Sequence, residues 1–201
     1  MTPMTAASIV PNLSVECLKT IVSAIQASPA QDSDGRRPGA VMTIFLESGG
    51  EPALLFTKRA AHLDEHAGQI SFPGGAVEEY DPDFQAAAFR ETFEEVSIRP
   101  EELEILSPLP RQPVLETWMI HPFAAWWPAP RPLAYDPVEV ARVIIHPLSD
   151  LMRQHQRECW LVPGPEVCRY ELGGEILWGA TARIAARLLD YIISAIELDR
   201  A

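Results

Sequence analysis

Three glutamates fall within five consecutive positions in the run Arg90-Glu91-Thr92-Phe93-Glu94-Glu95. At 3.6 residues per turn Glu91 and Glu95 point the same way with Glu94 beside them, while Ala86, Phe89, Phe93 and Val96 form an apolar stripe expected to face the core from the other side. Like charges four apart, near the partially negative C-terminal end of a helix, each cost roughly a few tenths of a kcal/mol. A bound divalent cation would turn that repulsion into a site. An acidic pair is more often a solvated helix face, but here Phe72-Pro73-Gly74-Gly75 precedes the helix, a breaker-rich turn that can bring backbone carbonyls close to an ion or a phosphate. Oxygen ligands of both kinds suit Mg²⁺ or Mn²⁺.

The stretch resembles the Nudix box, a glycine followed by an acidic residue and then R-E-U-x-E-E-x-G-U, with U a bulky apolar residue. Three departures stand out: Asp81 replaces the usual Glu, eight residues rather than seven separate it from Arg90, and Ser97 replaces the last glycine. Thr92 is also less apolar than the pattern prefers. The extra residue and the acidic residue at 81 are similar to one branch, the coenzyme A pyrophosphatases. That branch has a second signature upstream, approximately L-L-T-K-R-S-x-x-L-R-x-H-x-G-x-V-x-F-P-G-G, and residues 55–75 read LFTKRAAHLDEHAGQISFPGG. Phe56, Ala60 and Asp64 depart from it, Asp64 by placing an acid where the pattern has a base. Resemblance extends to Asp136-Pro137-Val138-Glu139-Val140 and to the run from Trp178 to Arg183.

The resemblance implies a metal-dependent hydrolase that cleaves the pyrophosphate linkage of coenzyme A or acyl-coenzyme A to 3′,5′-ADP and 4′-phosphopantetheine or its acylated form. Glu91 and Glu95 would hold Mg²⁺ or Mn²⁺, Glu94 would complete the cluster or position water, the Gly75 carbonyl would add a ligand, and Arg90 would orient the glutamates by ion pairing. Lys58 and Arg59 are candidates to grip phosphates, weighed against solvated strand-end charges. His66 would shape the loop or meet substrate; pairing it with His62 as a zinc site requires a helix that Gly68 makes doubtful. The general base stays open between box carboxylates and a later acid such as Glu139 or Glu116. Rival readings are a Nudix hydrolase for ADP-ribose or a dinucleotide polyphosphate, and a nucleotide-sensing Nudix domain without hydrolysis.

Several elements must position these residues. Leu13 to Ala27 has helical apolar spacing, followed by a polar, turn-prone run to Gly39, so an N-terminal helix and linker over 1–38 is expected to precede a hydrolase domain over 39–201. Ala40 to Glu47 and Ala53 to Arg59 read as a hairpin about Ser48-Gly49-Gly50. Gln69 to Phe72 is a short strand, and Asp81 is the expected N-cap of the acidic helix, with Pro82 at its first position. Leu103 to Leu109, Ile120 to Trp127 and Glu139 to His146 are further strands among proline-rich loops. Leu148 to Gln154 suits a short helix, Trp160 to Tyr170 a hairpin, and Gly179 to Glu197 a long helix. Trp126 and Trp127 are expected in the core or at its rim rather than stacked on a base, and Trp178 is expected to be structural. This order fits an α/β/α sandwich around a mixed β-sheet, the fold the resemblance implies.

A chain of 201 residues suits one domain with an added N-terminal element. Its net charge of −12 argues against general nucleic-acid binding, and a phosphate-rich substrate would need local cations. Cys17, Cys159 and Cys168 lack metal-ligand spacing and suit free thiols in a reducing compartment. No targeting segment or membrane span is evident, so a cytoplasmic location is expected. A homodimer is left open.

Overall fold

The computed structural model describes residues 13–27, 34–63, 66–158 and 168–199. Strands β1 (Arg37–Ser48) and β2 (Glu51–Arg59) form the expected hairpin, closing with Ser48 opposite Glu51. Gly49 and Gly50 both take positive φ, at 64° and 83°, as a two-residue hairpin turn requires. Around them assemble β3 (Ile70–Ser71), β4 (Gly74–Ala76), β5 (Glu104–Pro108), β6 (Gln112–Val114), β7 (Trp118–Trp127) and β8 (Val140–Pro147). The eight-stranded sheet runs β3-β2-β1-β7-β5, with β4 on β1, β6 on β7 and β8 on β2. Among the described residues only β1 and β7 pair in parallel, which makes the sheet mixed. Strands β9 (Tyr170–Glu171) and β10 (Ile176–Leu177) pair separately.

Alternation along the strands divides the core in two. Met42, Ile44 and Leu46 of β1 pack with Ala87, Ala88 and Val96 of α2 (Phe84–Val96) on one face. Phe45, Leu54 and Phe56 meet α1 (Val15–Ser23), α3 (Leu148–Glu158) and α4 (Gly179–Asp199) on the other, through Leu18, Val22, Leu151, Leu188 and Ile192. The result is the expected α/β/α sandwich. Trp126 and Trp127 are buried in opposite faces of this core.

Some local expectations are corrected. Asp83, not Asp81, caps α2, accepting from the Ala86 N–H at 2.7 Å, because Asp81 is drawn away by Arg90. The expected apolar stripe is buried only in part: Val96 is fully buried and Phe89 packs on the core, but Phe93 is 49% exposed, whereas Ala88, Thr92 and Glu95 turn inward. Gly74 and Gly75, expected in a turn, lie in β4 against Ala40 and Val41, and β6 was not foreseen. Trp178, expected to be structural, is 52% exposed. Most of the expected hairpin from Trp160 to Tyr170, together with Asp64 and Cys159, lies outside the described residues.

Candidate active site

The period-2 alternation of β2 sorts its two cations onto opposite faces. Lys58 follows Leu54 and Phe56 away from α2, where its ammonium meets Glu175 at 2.6 Å beside Arg142. Thr57 and Arg59 face α2 instead. The Thr57 hydroxyl donates to Glu95 Oε2 at 3.5 Å, and Arg59 Nη1 stands 3.9 Å from Glu95 Oε1. His66 lies in the exposed loop between β2 and β3, with Nδ1 3.2 Å from Gln69 Oε1. The structure thus brings Arg59 to the glutamates and keeps Lys58 apart.

Glu95 is the deepest acid of the cluster, with 2% exposure. Burial pushes its carboxyl up to about 8; Arg59 and the Gly74 N–H pull it down, and Glu91 and Glu139 push it up further. Glu91 is also raised, first by burial, although Arg90 donates to it at 2.7 Å. Its carboxylate lies directly against Gly75, where a Cβ would stand 2.6 Å from Oε2. Glycine is the residue that leaves room for a carboxylate beside the β4 backbone. Glu94 is more peripheral, its side chain 54% exposed.

Arg90 ties the cluster together. Its Nε and Nη2 hold Asp81 in a fork at 3.0 and 2.9 Å, Nη1 reaches Glu91 and Glu94 at 2.7 and 3.1 Å, and Nη2 also donates to the Ala76 carbonyl at 3.0 Å. The fork holds the Asp81 carboxyl below its usual range. Asp81 is therefore long enough to serve where the Nudix pattern has Glu. Thr92 occupies its apolar position by donating to the Ala88 carbonyl at 2.7 Å, which pairs its own buried hydroxyl. Ser97 caps α2 in the left-handed region at φ 56° and ψ 23°, which is why the pattern favours glycine there.

Of the two later acids, Glu139 has a charge that reaches both Glu91 and Glu95, and its carbonyl accepts from Ala60 N at 2.8 Å. Glu116 sits in the exposed turn between β6 and β7. Thr57 was not singled out as a partner of Glu95, although its i, i+2 spacing from Arg59 on a strand is the signal that places both on one face. Among the described residues no three acids, histidines or cysteines converge on one point as they stand. Arg90 draws Glu91 and Glu94 to itself while Glu95 turns toward Thr57 and Arg59. The donor set, carboxylate oxygens beside a β4 carbonyl, nevertheless suits a hard divalent cation.

A mixed-sheet sandwich carrying an arginine-tethered acidic helix beside a glycine-rich strand defines the Nudix class. The NUDIX domain model matches residues 35–162, and the chain belongs to that family. Relatives named uncharacterized Nudix hydrolase NudL are 40% identical over 124 residues in Enterobacter sp. (strain 638), covering 62% of this chain and 64% of the relative, and 35% identical over 150 residues in Salmonella paratyphi B, covering 69% and 74%. The first match thus spans just under two thirds of its relative's length. Among solved structures, the Nudix hydrolase RenU from M. smegmatis superposes with a TM-score of 0.55 at 15% identity, covering 80% of this chain and 88% of that one. A MutT protein from Methanosarcina mazei gives 0.53 at 13%, covering 83% and 98%. These two likenesses concern the fold alone. No helix among the described residues is long and apolar enough to cross a membrane.

Proposed function

We propose that the protein is a metal-dependent Nudix hydrolase that cleaves the pyrophosphate bond of coenzyme A or its acyl derivatives to 3′,5′-ADP and (acyl-)4′-phosphopantetheine. The observation that carries the chemistry is Glu95, buried at 2% exposure beside Glu91 with too few donors to compensate its charge. Glu91, Glu95 and the Gly75 carbonyl would hold Mg²⁺ or Mn²⁺, with Glu94 at the rim. A cation there would offset the charge of the diphosphate and make water more acidic. Arg90 positions the glutamates, Arg59 offers a guanidinium to the diphosphate from the same face, and His66, in the exposed loop between β2 and β3, would meet the substrate. Glu139 is the favoured general base because its charge reaches both inner glutamates. Lys58 would reach a phosphate only by leaving Glu175.

Coenzyme A is favoured over other nucleoside diphosphate derivatives by the upstream run LFTKRAAHLDEHAGQISFPGG. The test is a panel of coenzyme A, acetyl-coenzyme A, ADP-ribose and dinucleotide polyphosphates with Mg²⁺ or Mn²⁺, with products identified by mass. Coenzyme A and its thioesters should give 3′,5′-ADP at the highest kcat/KM. Efficient hydrolysis of ADP-ribose with none of coenzyme A would overturn the substrate assignment and leave the Nudix chemistry intact.

A further inference from the structure

The face that β2 turns to α2 runs Ala53, Leu55, Thr57 and Arg59, and the first two are core residues. At the third position a valine would fill the same space without burying a hydroxyl. Thr57 is fully buried there all the same. Three threonines are fully buried among the described residues, and their hydroxyls are used differently. Thr92 donates back to its own helix at the Ala88 carbonyl, 2.7 Å away, and Thr43 Oγ1 has no hydrogen-bond partner. Thr57 Oγ1 meets Ser71 Oγ at 3.1 Å and Glu95 Oε2 at 3.5 Å, while the Ser71 carbonyl is no nearer than Glu95, also at 3.5 Å. The Thr57 hydroxyl is therefore directed at the acidic cluster rather than tied to the strand.

A hydroxyl has one proton to donate and two lone pairs to accept with. When Ser71 donates to Thr57, the Thr57 proton is left for Glu95, and the two hydroxyls form a chain that ends on the carboxylate. Ser71 stands directly opposite Thr57 in the β2–β3 pair. The backbone that follows Ser71 reaches the same acids, for the Gly74 N–H bonds Glu95 and Gly75 lies against the Glu91 carboxylate. Arg59 Nη1 stands 3.9 Å from the other oxygen of Glu95, Oε1. The carboxylate is thus set with Oε2 toward the paired strands and Oε1 toward the guanidinium. A contact of 3.5 Å lies at the long limit for a hydrogen bond and does little to offset the charge of Glu95. Its effect is to give the carboxylate a direction.

We infer that Thr57, braced by Ser71 across the β2–β3 pair, is a positioning residue for the metal: it fixes the rotation of the Glu95 carboxylate, with Oε2 held at the sheet and Oε1 turned to the Arg59 side. The inference rests on the reading of Glu95 as a metal ligand. A long side chain whose end group is already oriented loses less freedom when it takes up an ion, and groups behind the ligands of a metal tune its affinity in this way.

Two substitutions separate the hydroxyl of Thr57 from its packing. Thr57→Val keeps the shape and removes the hydroxyl, whereas Thr57→Ser keeps the hydroxyl and leaves a methyl-sized gap. Binding of Mn²⁺ to chelator-treated protein is followed by the electron paramagnetic resonance of the free ion, and the melting temperature is measured without metal. Thr57→Val should bind Mn²⁺ about tenfold more weakly than the parent. Thr57→Ser should melt at a lower temperature yet bind within about threefold of the parent, and Ser71→Ala should bind about threefold more weakly. Parental affinity in Thr57→Val, or affinities that follow the melting temperatures so that Thr57→Ser binds worst, would overturn the inference while leaving the metal reading in place. If Thr57→Val does not fold, Ser71→Ala decides the matter, since parental affinity there overturns the chain and weakened binding beside a near-parental Thr57→Ser supports it. A parent that takes up no Mn²⁺ overturns the metal reading and the inference with it.

Discussion

Glu95 and Asp150 are both carboxylates on helices that pack against the central sheet, but on opposite faces, and their surroundings differ in kind. Asp150 accepts from His146 Nε2 at 2.8 Å, Arg153 Nη2 at 2.9 Å and Gln154 Nε2 at 2.8 Å. Burial works against its charge, yet these donors outweigh it and hold the carboxyl below its ordinary range. Glu95 is far more buried and has a hydroxyl at 3.5 Å and a guanidinium at 3.9 Å beside the Gly74 N–H. The same α3 face holds a second completed network, with His155 between Tyr170 at 2.7 Å and Asp190 at 2.8 Å. A polar cluster with its donors supplied stabilises the fold. One buried without them weakens the fold and is accounted for by a ligand that the pocket receives.

Substitution should separate the two regions. Glu95→Gln keeps the shape and removes the charge, so kcat should fall by about 10²-fold or more. Its melting temperature in metal-free buffer at pH 8 should equal or exceed that of the parent. Conversely, Asp150→Asn should leave kcat/KM within about twofold while costing on the order of 1 kcal/mol in chemical denaturation, the usual scale for weakened charge-assisted bonds. A destabilised Glu95→Gln with normal turnover would reverse the assignment of the two regions.

The pH dependence follows from the same contrast. With a folded-state value near 8 against an ordinary carboxylate near 4.5, Glu95 keeps its proton in the native state where the unfolded chain has lost it. Its contribution therefore makes metal-free stability fall as pH rises from about 4.5 to about 8 and level off beyond. Glu95→Gln should flatten that slope in denaturation measured across this window. The smallest effect is expected at Ser97, whose left-handed backbone favours glycine. Ser97→Gly should change stability by up to about 1 kcal/mol in the favourable direction, because relieved strain exceeds the added freedom of the unfolded chain.

Much of this molecule is readable from residue order. The β1–β2 hairpin follows from two apolar runs about Gly49-Gly50, and the acidic helix from its box. The side that helix buries does not. Apolar periodicity points to Phe93, yet the sheet takes Glu91, Thr92 and Glu95, because a pocket lined by carboxylates has the same composition as a solvated face. Asp81 was misplaced as the cap for a related reason: its partner Arg90 lies nine residues away, and that pairing competes with local capping. The separation of Lys58 from Arg59, in contrast, is a consequence of strand alternation that residue order already contained. Arg36, Arg111 and Arg187 come together only through the fold, by way of Asp34 and the Arg111 carbonyl.

The central claim is that Glu95 is kept buried and underpaired for a divalent cation. Its most direct test is calorimetric titration of Mn²⁺ into chelator-treated parent and Glu95→Gln, both shown to be folded by circular dichroism. The parent should bind with release of protons that increases as pH falls from about 8 to about 6, because the carboxyl must ionise to take the metal. Glu95→Gln should bind at least about tenfold more weakly and lose that proton release. Equal affinity and equal proton release in the two proteins would contradict the claim.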